Sequence, residues 1–250
     1  MIRSIFLSLY LGLGVLLLLP WLILWSVITG KPDLMYSLAM KIVRAGNRIF
    51  GIRVHVEGLE NVPRTGACVF IANHVSNLDP LAFIPTIPGR VAIMIKQELM
   101  KIPILATGMR AAQFVPVNRS DREAAAASVE LAVKELKEGT SFVIFAEGTR
   151  SPDGRLRPFK RGGFTMAIEA GVPVVPVSIA GTQRLQPRGE WKVRSADVFI
   201  RYSPAVDASA YTMDRREELL ERVHALVAAA LPPDQQPLTN EPRPGAVAMP

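Results

Sequence analysis

Residues 67–80 read ACVFIANHVSNLDP, an unbroken apolar run followed at once by a polar turn. The run has the length of a buried strand, and functional side chains commonly lie where such a strand ends in an α/β sheet. His74 and Asp79 stand five residues apart in the turn. In a turn they can touch, whereas on a straight helix they would diverge. The stretch therefore predicts a buried strand and, directly after it, a candidate catalytic pair.

Six more short runs share the apolar, β-branched character of the first. They are IRVHV, VAIMI, QFVPV, SFVIF, PVVPVSI and DVFIRY. Helical stretches alternate with them, which is typical of an α/β protein. One helix is predicted to begin with Ser120 as N-cap and Glu123 as its capping-box partner. Residues 51–231 are therefore predicted to form a single α/β domain with a mixed sheet.

The N-terminal segment has the character of a membrane anchor. Residues 4–30 contain no charged residue, and the run exceeds the ~20 residues that a spanning helix needs. Pro20 would kink a helix, and residues 33–50 have the spacing of an amphipathic interfacial helix. Residues 1–50 are therefore predicted to be a membrane segment, either one true span or a helical pair embedded in one leaflet. More cations follow the apolar run than precede it, which predicts a domain on the cytoplasmic face of the inner membrane.

Composition narrows the classes of partner. The net charge of +7 is compatible with an anionic membrane, an acidic small substrate or nucleic acid. Only four Tyr and three Trp are present, without a basic-aromatic repeat, which argues against nucleic acid. The single cysteine, Cys68, cannot form an internal disulfide. Residues 232–250 are rich in proline and lack an apolar period, so they are predicted to be a disordered tail.

Three later segments also carry polar groups beside strands. They are FVPVNR at 114–119, FAEGTRS at 145–151 and VPVVPV at 172–177. Arg150 could grip a phosphate bidentately, and glycine amides could approach it closely. Each segment also has a plainer interpretation: the arginines belong to solvated turns, and Asp79 caps a helix that starts at Pro80. The residues alone leave both interpretations open.

Taken together, NHVSNLD, FVPVNR, FAEGTRS and VPVVPV resemble the four motifs of the glycerolipid acyltransferase family. The resemblance is strongest to 1-acyl-sn-glycerol-3-phosphate acyltransferases of the bacterial PlsC type. Their order and separations match over residues 55–205, and the combination is specific although each motif is weak alone. Two positions depart from the family pattern. Ala146 replaces the usual proline before Glu-Gly-Thr-Arg, and Gln113-Phe114 replaces the usual glycine-led opening of the second motif.

The resemblance implies roles for particular residues. His74 would be the general base and Asp79 would orient it. The implied substrate-binding set is Arg119, Glu147, Gly148, Thr149 and Arg150 for the acyl acceptor and its phosphate, Pro176 for the acyl donor, and Lys101 and Lys160 for phosphate or coenzyme A. No metal and no cofactor are expected, because His55 and His224 lack a ligand cluster in the sequence.

The implied reaction transfers a fatty acyl group from acyl-CoA or acyl carrier protein to the sn-2 hydroxyl of lysophosphatidate. The product would be phosphatidate, for phospholipid biosynthesis, and membrane lipids would be the surrounding partners. Two alternatives stay open. One is the same chemistry on another lysolipid, and the other is a non-catalytic protein that binds anionic lipid headgroups through Arg119, Arg150 and Lys160.

Overall fold

The computed structural model describes residues 2–14, 17, 20, 21, 25, 29, 32–118, 121–187, 190 and 192–238. Within them, seven strands form one sheet with the order β1-β7-β6-β2-β5-β3-β4. The strands are β1 (Ile52–Glu57), β2 (Val69–Ala72), β3 (Val91–Lys96), β4 (Val115–Val117), β5 (Ser141–Phe145), β6 (Val174–Ala180) and β7 (Ala196–Tyr202). Each strand falls on one of the seven apolar runs, so the predicted α/β fold with a mixed sheet is confirmed.

Strand direction determines where the polar turns meet. Strand β2 is central and pairs in parallel with both β5 and β6. Strand β3 continues the parallel set from β5 to β4, whereas β7 is antiparallel to β6 and parallel to β1. The C-terminal ends of β2, β3, β5 and β6 therefore lie side by side. We call this border of the sheet, formed by strand ends and not by an outer strand, the carboxyl edge.

Helices cover both faces of the sheet. They are α1 (Ile2–Leu13), α2 (Pro32–Ile49), α3 (Asp79–Phe83), α4 (Pro103–Ala111), α5 (Arg122–Lys137), α6 (Gly162–Ala170), α7 (Thr182–Leu185) and α8 (Arg216–Ala230). Short 3-10 helices span Leu59–Asn61, Ile84–Thr86, Gln97–Lys101, Ala208–Ala210 and Met213–Arg215. One core cluster joins α2 and α3 to the sheet, and the other joins α5, α6 and α8 to its opposite face. The fully buried Phe70 and Phe83 belong to the first cluster.

One local prediction was wrong. The N-cap of α5 is Asp121, not Ser120, because the Asp121 carboxylate accepts the backbone N–H groups of Glu123 and Ala124. A carboxylate there also complements the positive end of the helix dipole. Ser120 itself lies outside the described residues.

The start of the segment predicted as a disordered tail makes contacts with the domain. Residues 232–238 pack against the loop after β5: the Gln235 carbonyl accepts the Leu156 N–H at 2.8 Å, and the Gln236 carbonyl accepts Arg155 Nη1 at 3.1 Å. These bonds order the segment although it has no apolar period. Residues 239–250 lie outside the described residues.

The first two helices run antiparallel. Tyr10 donates its hydroxyl to the Ile42 carbonyl at 3.1 Å, and its ring lies so close to Gly46 that a Cβ there would approach within 3.0 Å. Helix α2 is the helix predicted at residues 33–50. Over the described parts of the chain, no helix combines the length and the apolar character needed to cross a membrane. Most of residues 15–31 lies outside those parts.

Candidate active site

His74 and Asp79 meet at the carboxyl edge, directly after β2. His74 Nδ1 lies 2.7 Å from Asp79 Oδ2, and the Asp79 side chain is fully buried while that of His74 is 19% exposed. With Nδ1–H donating to the carboxylate, Nε2 carries the free lone pair. The predicted pair therefore has the geometry of a general base that a carboxylate holds in one tautomer.

The turn of residues 73–78, which we call the catalytic turn, is shaped around the Asp79 carboxylate. Asp79 Oδ2 also accepts the backbone N–H groups of Val75 at 2.8 Å and Ser76 at 2.9 Å. Asp79 is at the same time the first residue of α3. The plainer interpretation of Asp79 as the cap of a helix starting at Pro80 is wrong: Leu78 is the N-cap, no side chain caps this helix, and the Asp79 carboxylate bonds the preceding turn and His74 instead.

Asn73 anchors the other end of the catalytic turn and was missed by sequence reasoning. Its amide bridges the backbone of β6, donating to the Ile179 carbonyl at 2.9 Å and accepting the Ile179 N–H at 2.8 Å. The side chain is fully buried. A buried amide that directly follows an apolar strand was the available signal, because such a group must find partners on a neighbouring strand.

Glu147 lies beside His74 because β2 and β5 are neighbouring parallel strands. Its Oε1 accepts the backbone N–H of His74 at 2.8 Å, and the residue is only 4% exposed. Burial raises the pKa of Glu147 to about 8, and the charge of Asp79 acts in the same direction against the His74 hydrogen bond and the charge of Arg157. The group is thus mostly protonated at neutral pH. Its geometry is that of a support for the catalytic turn.

Two more contacts fix His74 from the side of β5. The Phe145 ring lies against the imidazole, with centroids 4.4 Å apart and planes inclined by 30°. The Ser151 N–H donates to the His74 carbonyl at 2.8 Å. His74 is therefore held by two segments: Asp79 at the start of α3 contacts its side chain, and residues 145–151 contact its ring, its N–H and its carbonyl. Sequence reasoning had not assigned Phe145 or Ser151 to the site.

Gly148 and Lys160 form the next part of the site. Gly148 has φ +70°, and a Cβ there would lie 2.9 Å from Lys160 Cδ and Cε. The loop carrying Lys160 is tied to this turn, since the Lys160 N–H donates to the Ala146 carbonyl at 2.7 Å. The exposed Lys160 side chain thus crosses directly over a glycine turn. Only a residue without a side chain allows this approach.

The remaining predicted binding residues have different positions. Thr149 is exposed and Arg150 half-buried in the turn after β5, and Lys101 is exposed in the 3-10 helix that follows β3. Both elements begin at the carboxyl edge. Arg119 lies outside the described residues. Their contacts with substrate stay predictions.

Pro176 does not lie at the surface of the site. It is buried within β6, where it pairs with Ile71 of β2. Its carbonyl accepts the Ser203 N–H at 2.9 Å, just before the β6–β7 pairing begins at Val177. Pro176 thus forms part of the sheet beside the catalytic turn, and its missing N–H falls where β7 has already ended. Its donor-binding role stays a prediction.

The other histidines lie elsewhere. His55 pairs with Asp197 on the exposed face of β1 and β7 at 2.9 Å, and His224 of α8 lies against Phe159. Burial lowers the pKa of His224, partly opposed by its contact with the Arg157 carbonyl. Within the described ranges, no group of three His, Cys, Asp or Glu side chains is placed to hold a metal ion.

Sequence comparison relates the chain to known proteins. The Acyltransferase family model matches residues 53–180. A 1-acyl-sn-glycerol-3-phosphate acyltransferase of Limnanthes alba is 30% identical over 191 residues, which cover 76% of this chain and 67% of the relative. The protein of that name from Borreliella burgdorferi is 32% identical over 169 residues, with 68% of each chain covered.

A solved structure matches the fold as a whole. The crystal structure of the 1-acyl-sn-glycerophosphate (LPA) acyltransferase PlsC from Thermotoga maritima superposes with a TM-score of 0.72 at 29% identity, covering 90% of this chain and 94% of that chain. The family match spans both β2 with the His74–Asp79 pair and β5 with Glu147. The chain therefore belongs to the Acyltransferase family.

Proposed function

We propose that this protein transfers a fatty acyl group from a thioester to the sn-2 hydroxyl of 1-acyl-glycerol-3-phosphate, forming phosphatidate. The observation that carries the proposal is the 2.7 Å contact between His74 Nδ1 and the buried Asp79 carboxylate. The names of the relatives supply the acceptor, since 1-acyl-sn-glycerol-3-phosphate acyltransferases match over most of the chain. A non-catalytic lipid-binding protein would have no need of such a pair.

In the proposed reaction, His74 Nε2 removes the proton of the acceptor hydroxyl as that oxygen attacks the thioester carbonyl. The imidazolium that forms is stabilised by Asp79. Collapse of the tetrahedral intermediate breaks the carbon–sulfur bond, and the sulfur takes the proton from His74. The ester and a free thiol leave, and the base is regenerated. His74 thus acts first as base and then as acid.

Cations around the turn after β5 can balance the negative charge of the acceptor phosphate. Lys160 crosses the Gly148 turn beside His74, and Arg150 follows in the same turn. A guanidinium binds phosphate oxygens in pairs, and an ammonium acts as a point charge. Glu147 adds little repulsion, because its carboxyl is mostly neutral. We assign the phosphate to this group of cations, with Arg119 as a further member predicted from sequence.

We further propose that the protein lies on the cytoplasmic face of the membrane, with α1 and α2 embedded in one leaflet. Large apolar side chains of α1 are exposed: Ile5, Phe6, Leu9 and Leu13. Trp21 is 71% exposed and Ile49, at the end of α2, is 66% exposed. Helix α2 ends next to the start of β1, which pairs with the start of β7 and so lies near the carboxyl edge. Lipid tails could then reach His74 from the bilayer.

The test is thiol release from a long-chain acyl-CoA by detergent-purified protein, with and without lysophosphatidate, and with phosphatidate identified by mass spectrometry. We expect acceptor-dependent release that His74→Ala abolishes. His55→Ala is the matched control, because it removes a second Asp-paired histidine that lies outside the site. Equal activity in His74→Ala and wild type would overturn the mechanism.

Acceptor and donor are compared in the same assay. Lysophosphatidylcholine and glycerol 3-phosphate test the alternative acceptors, and acyl carrier protein thioesters test the donor. A preference for another lysolipid would keep the mechanism and change the substrate. No turnover of any thioester would support the non-catalytic alternative.

A further inference from the structure

Helix α3, which begins with Asp79, and the 3-10 helix Ile84–Thr86 that continues it leave two backbone carbonyls without a donor of their own. In a continuing helix the Leu81 carbonyl would accept the N–H of residue 85, but residue 85 is a proline. In a continuing 3-10 helix the Pro85 carbonyl would accept the N–H of residue 88, but residue 88 is also a proline and has no N–H. The sequence therefore leaves two carbonyls without a local donor, just behind the residue that orients the base.

Helix α2 supplies both missing donors. Asn47 Nδ2 donates to the Leu81 carbonyl at 2.8 Å, and Arg44 Nε donates to the Pro85 carbonyl at 2.8 Å, with its Nη2 on the same oxygen. Asn47 is only 7% exposed. The side chains lie three positions apart on α2, which places them on one face of that helix.

The other end of α3 carries the catalytic contact. Asp79 is its first residue, and the same Asp79 oxygen that meets His74 accepts two backbone N–H groups of the catalytic turn. The helix has only five residues, so a displacement of its end moves Asp79 as well. Cations and donors at a helix C-terminus also oppose the negative end of its dipole.

We propose that Asn47 and Arg44 are positioning residues for the acyl transfer, which hold α3 and thereby the Asp79 carboxylate against His74. Neither residue touches the substrate in this proposal. It rests on the proposed function only for its kinetic readout. The consequence is that α2, the helix we assign to the membrane surface, is bonded directly to the catalytic pair's own helix.

Hydrogen exchange measures the position of Asp79 without requiring activity. The amides of Val75 and Ser76 are protected by the Asp79 carboxylate, so loosening Asp79 should accelerate their exchange. We expect Asn47→Leu to accelerate exchange in the peptide covering residues 73–79 by about tenfold or more, because a buried carbonyl loses its donor. Exchange in α5, on the other face of the sheet, should stay unchanged.

Kinetics provide the second readout. Asn47→Leu and Arg44→Met should each lower kcat about 10- to 100-fold and leave the KM for lysophosphatidate within about threefold. In the Asp79→Asn background the same substitutions should cost under about threefold, because the residue through which they act has already been changed. Lys41→Gln, an exposed cation of α2, is the matched control and should retain the wild-type kcat.

The outcomes separate the two proposals. Wild-type protein that does not turn over lysophosphatidate refutes the proposed function, and the exchange rates of the catalytic turn still decide this inference. Unchanged exchange at residues 73–79 in Asn47→Leu and in Arg44→Met overturns the positioning role. Equal acceleration in α5 would reveal general destabilisation and would overturn it too, as would the same loss of kcat in both backgrounds.

Discussion

Replacing Glu147 by glutamine should change how stability depends on pH. The raised pKa of about 8, against an ordinary value of 4.5, means that the folded state keeps a proton that the unfolded chain releases between these pH values. The folded state therefore binds more protons than the unfolded state in this window, and stability falls as pH rises through it. The loss is absent below about pH 4.5 and complete above about pH 8.

The magnitude follows from the difference between the two pKa values. Each pH unit in the window costs about 1.4 kcal/mol, so the free energy of unfolding loses about 3 kcal/mol between pH 5 and pH 7.5 through this one group. Glu147 is 4% exposed, which leaves little solvent screening to reduce the effect. Glutamine cannot ionise, but its Oε1 can still accept the His74 N–H. Glu147→Gln should therefore lack this loss.

Thermal unfolding followed by circular dichroism in detergent at pH 5, 6, 7 and 7.5 checks the expectation. The Tm of Glu147→Gln relative to wild type should rise across the series by roughly 6–12 °C, because about 3 kcal/mol corresponds to that shift in a chain of this size. The contributions of other titrating groups to the pH dependence of the Tm are the same in both proteins and cancel in the difference between them. Glu169→Gln changes an exposed glutamate of α6 and should run parallel to wild type. A constant difference between Glu147→Gln and wild type at all four pH values would refute the reasoning.

Three further substitutions test other contacts of the site. Asp79→Asn should lower kcat about 10³- to 10⁴-fold with the KM for lysophosphatidate nearly unchanged, because His74 loses its tautomer; initial-rate kinetics check this, and a change confined to KM would contradict it. Gly148→Ala, at φ +70° and 2.9 Å from the Lys160 side chain, should raise the KM for lysophosphatidate about tenfold with a smaller effect on kcat, and an unchanged KM would argue against Lys160 as a phosphate ligand. Asn73→Ala should cost about 3 kcal/mol, measured as a fall in Tm, because both backbone groups of Ile179 lose a buried partner. A Tm within about 2 °C of wild type would exclude that bridge.

The strands and the His74–Asp79 contact could be predicted because their signals are local. Each of the seven apolar runs contains its own evidence for a strand, and a separation of five residues in a turn restricts how far His74 and Asp79 can lie apart. The amphipathic pattern of α2 is local in the same sense. Such features depend little on which strands become neighbours.

The surroundings of the pair depend on strand order, which the sequence does not state. Glu147 was predicted to bind the acceptor because the family resemblance implies it, and its sequence neighbourhood did not indicate burial. Its burial follows from the pairing of β2 with β5, which are separated by about seventy residues of chain. Pro176 is buried for a similar reason, since β6 closes the other side of β2. In the segment predicted as a disordered tail, Gln235 and Gln236 accept hydrogen bonds from the Arg155–Leu156 loop, contacts that an apolar pattern does not indicate.

The two carboxyl groups beside His74 have different hydrogen-bond environments, and this difference explains why one site can hold both. Asp79 Oδ2 accepts three hydrogen bonds, from His74 Nδ1 and two backbone amides, whereas the Glu147 carboxyl is bonded by the backbone of His74 and of Arg157. Two negative charges in one buried site would repel each other, and the charge of Asp79 already acts to raise the pKa of Glu147. A neutral Glu147 removes that repulsion and keeps its hydrogen bond. The imidazolium formed during acyl transfer then faces a single negative charge, that of Asp79 beside Nδ1. Its Nε2 stays directed at the substrate, where it returns the proton to the leaving sulfur.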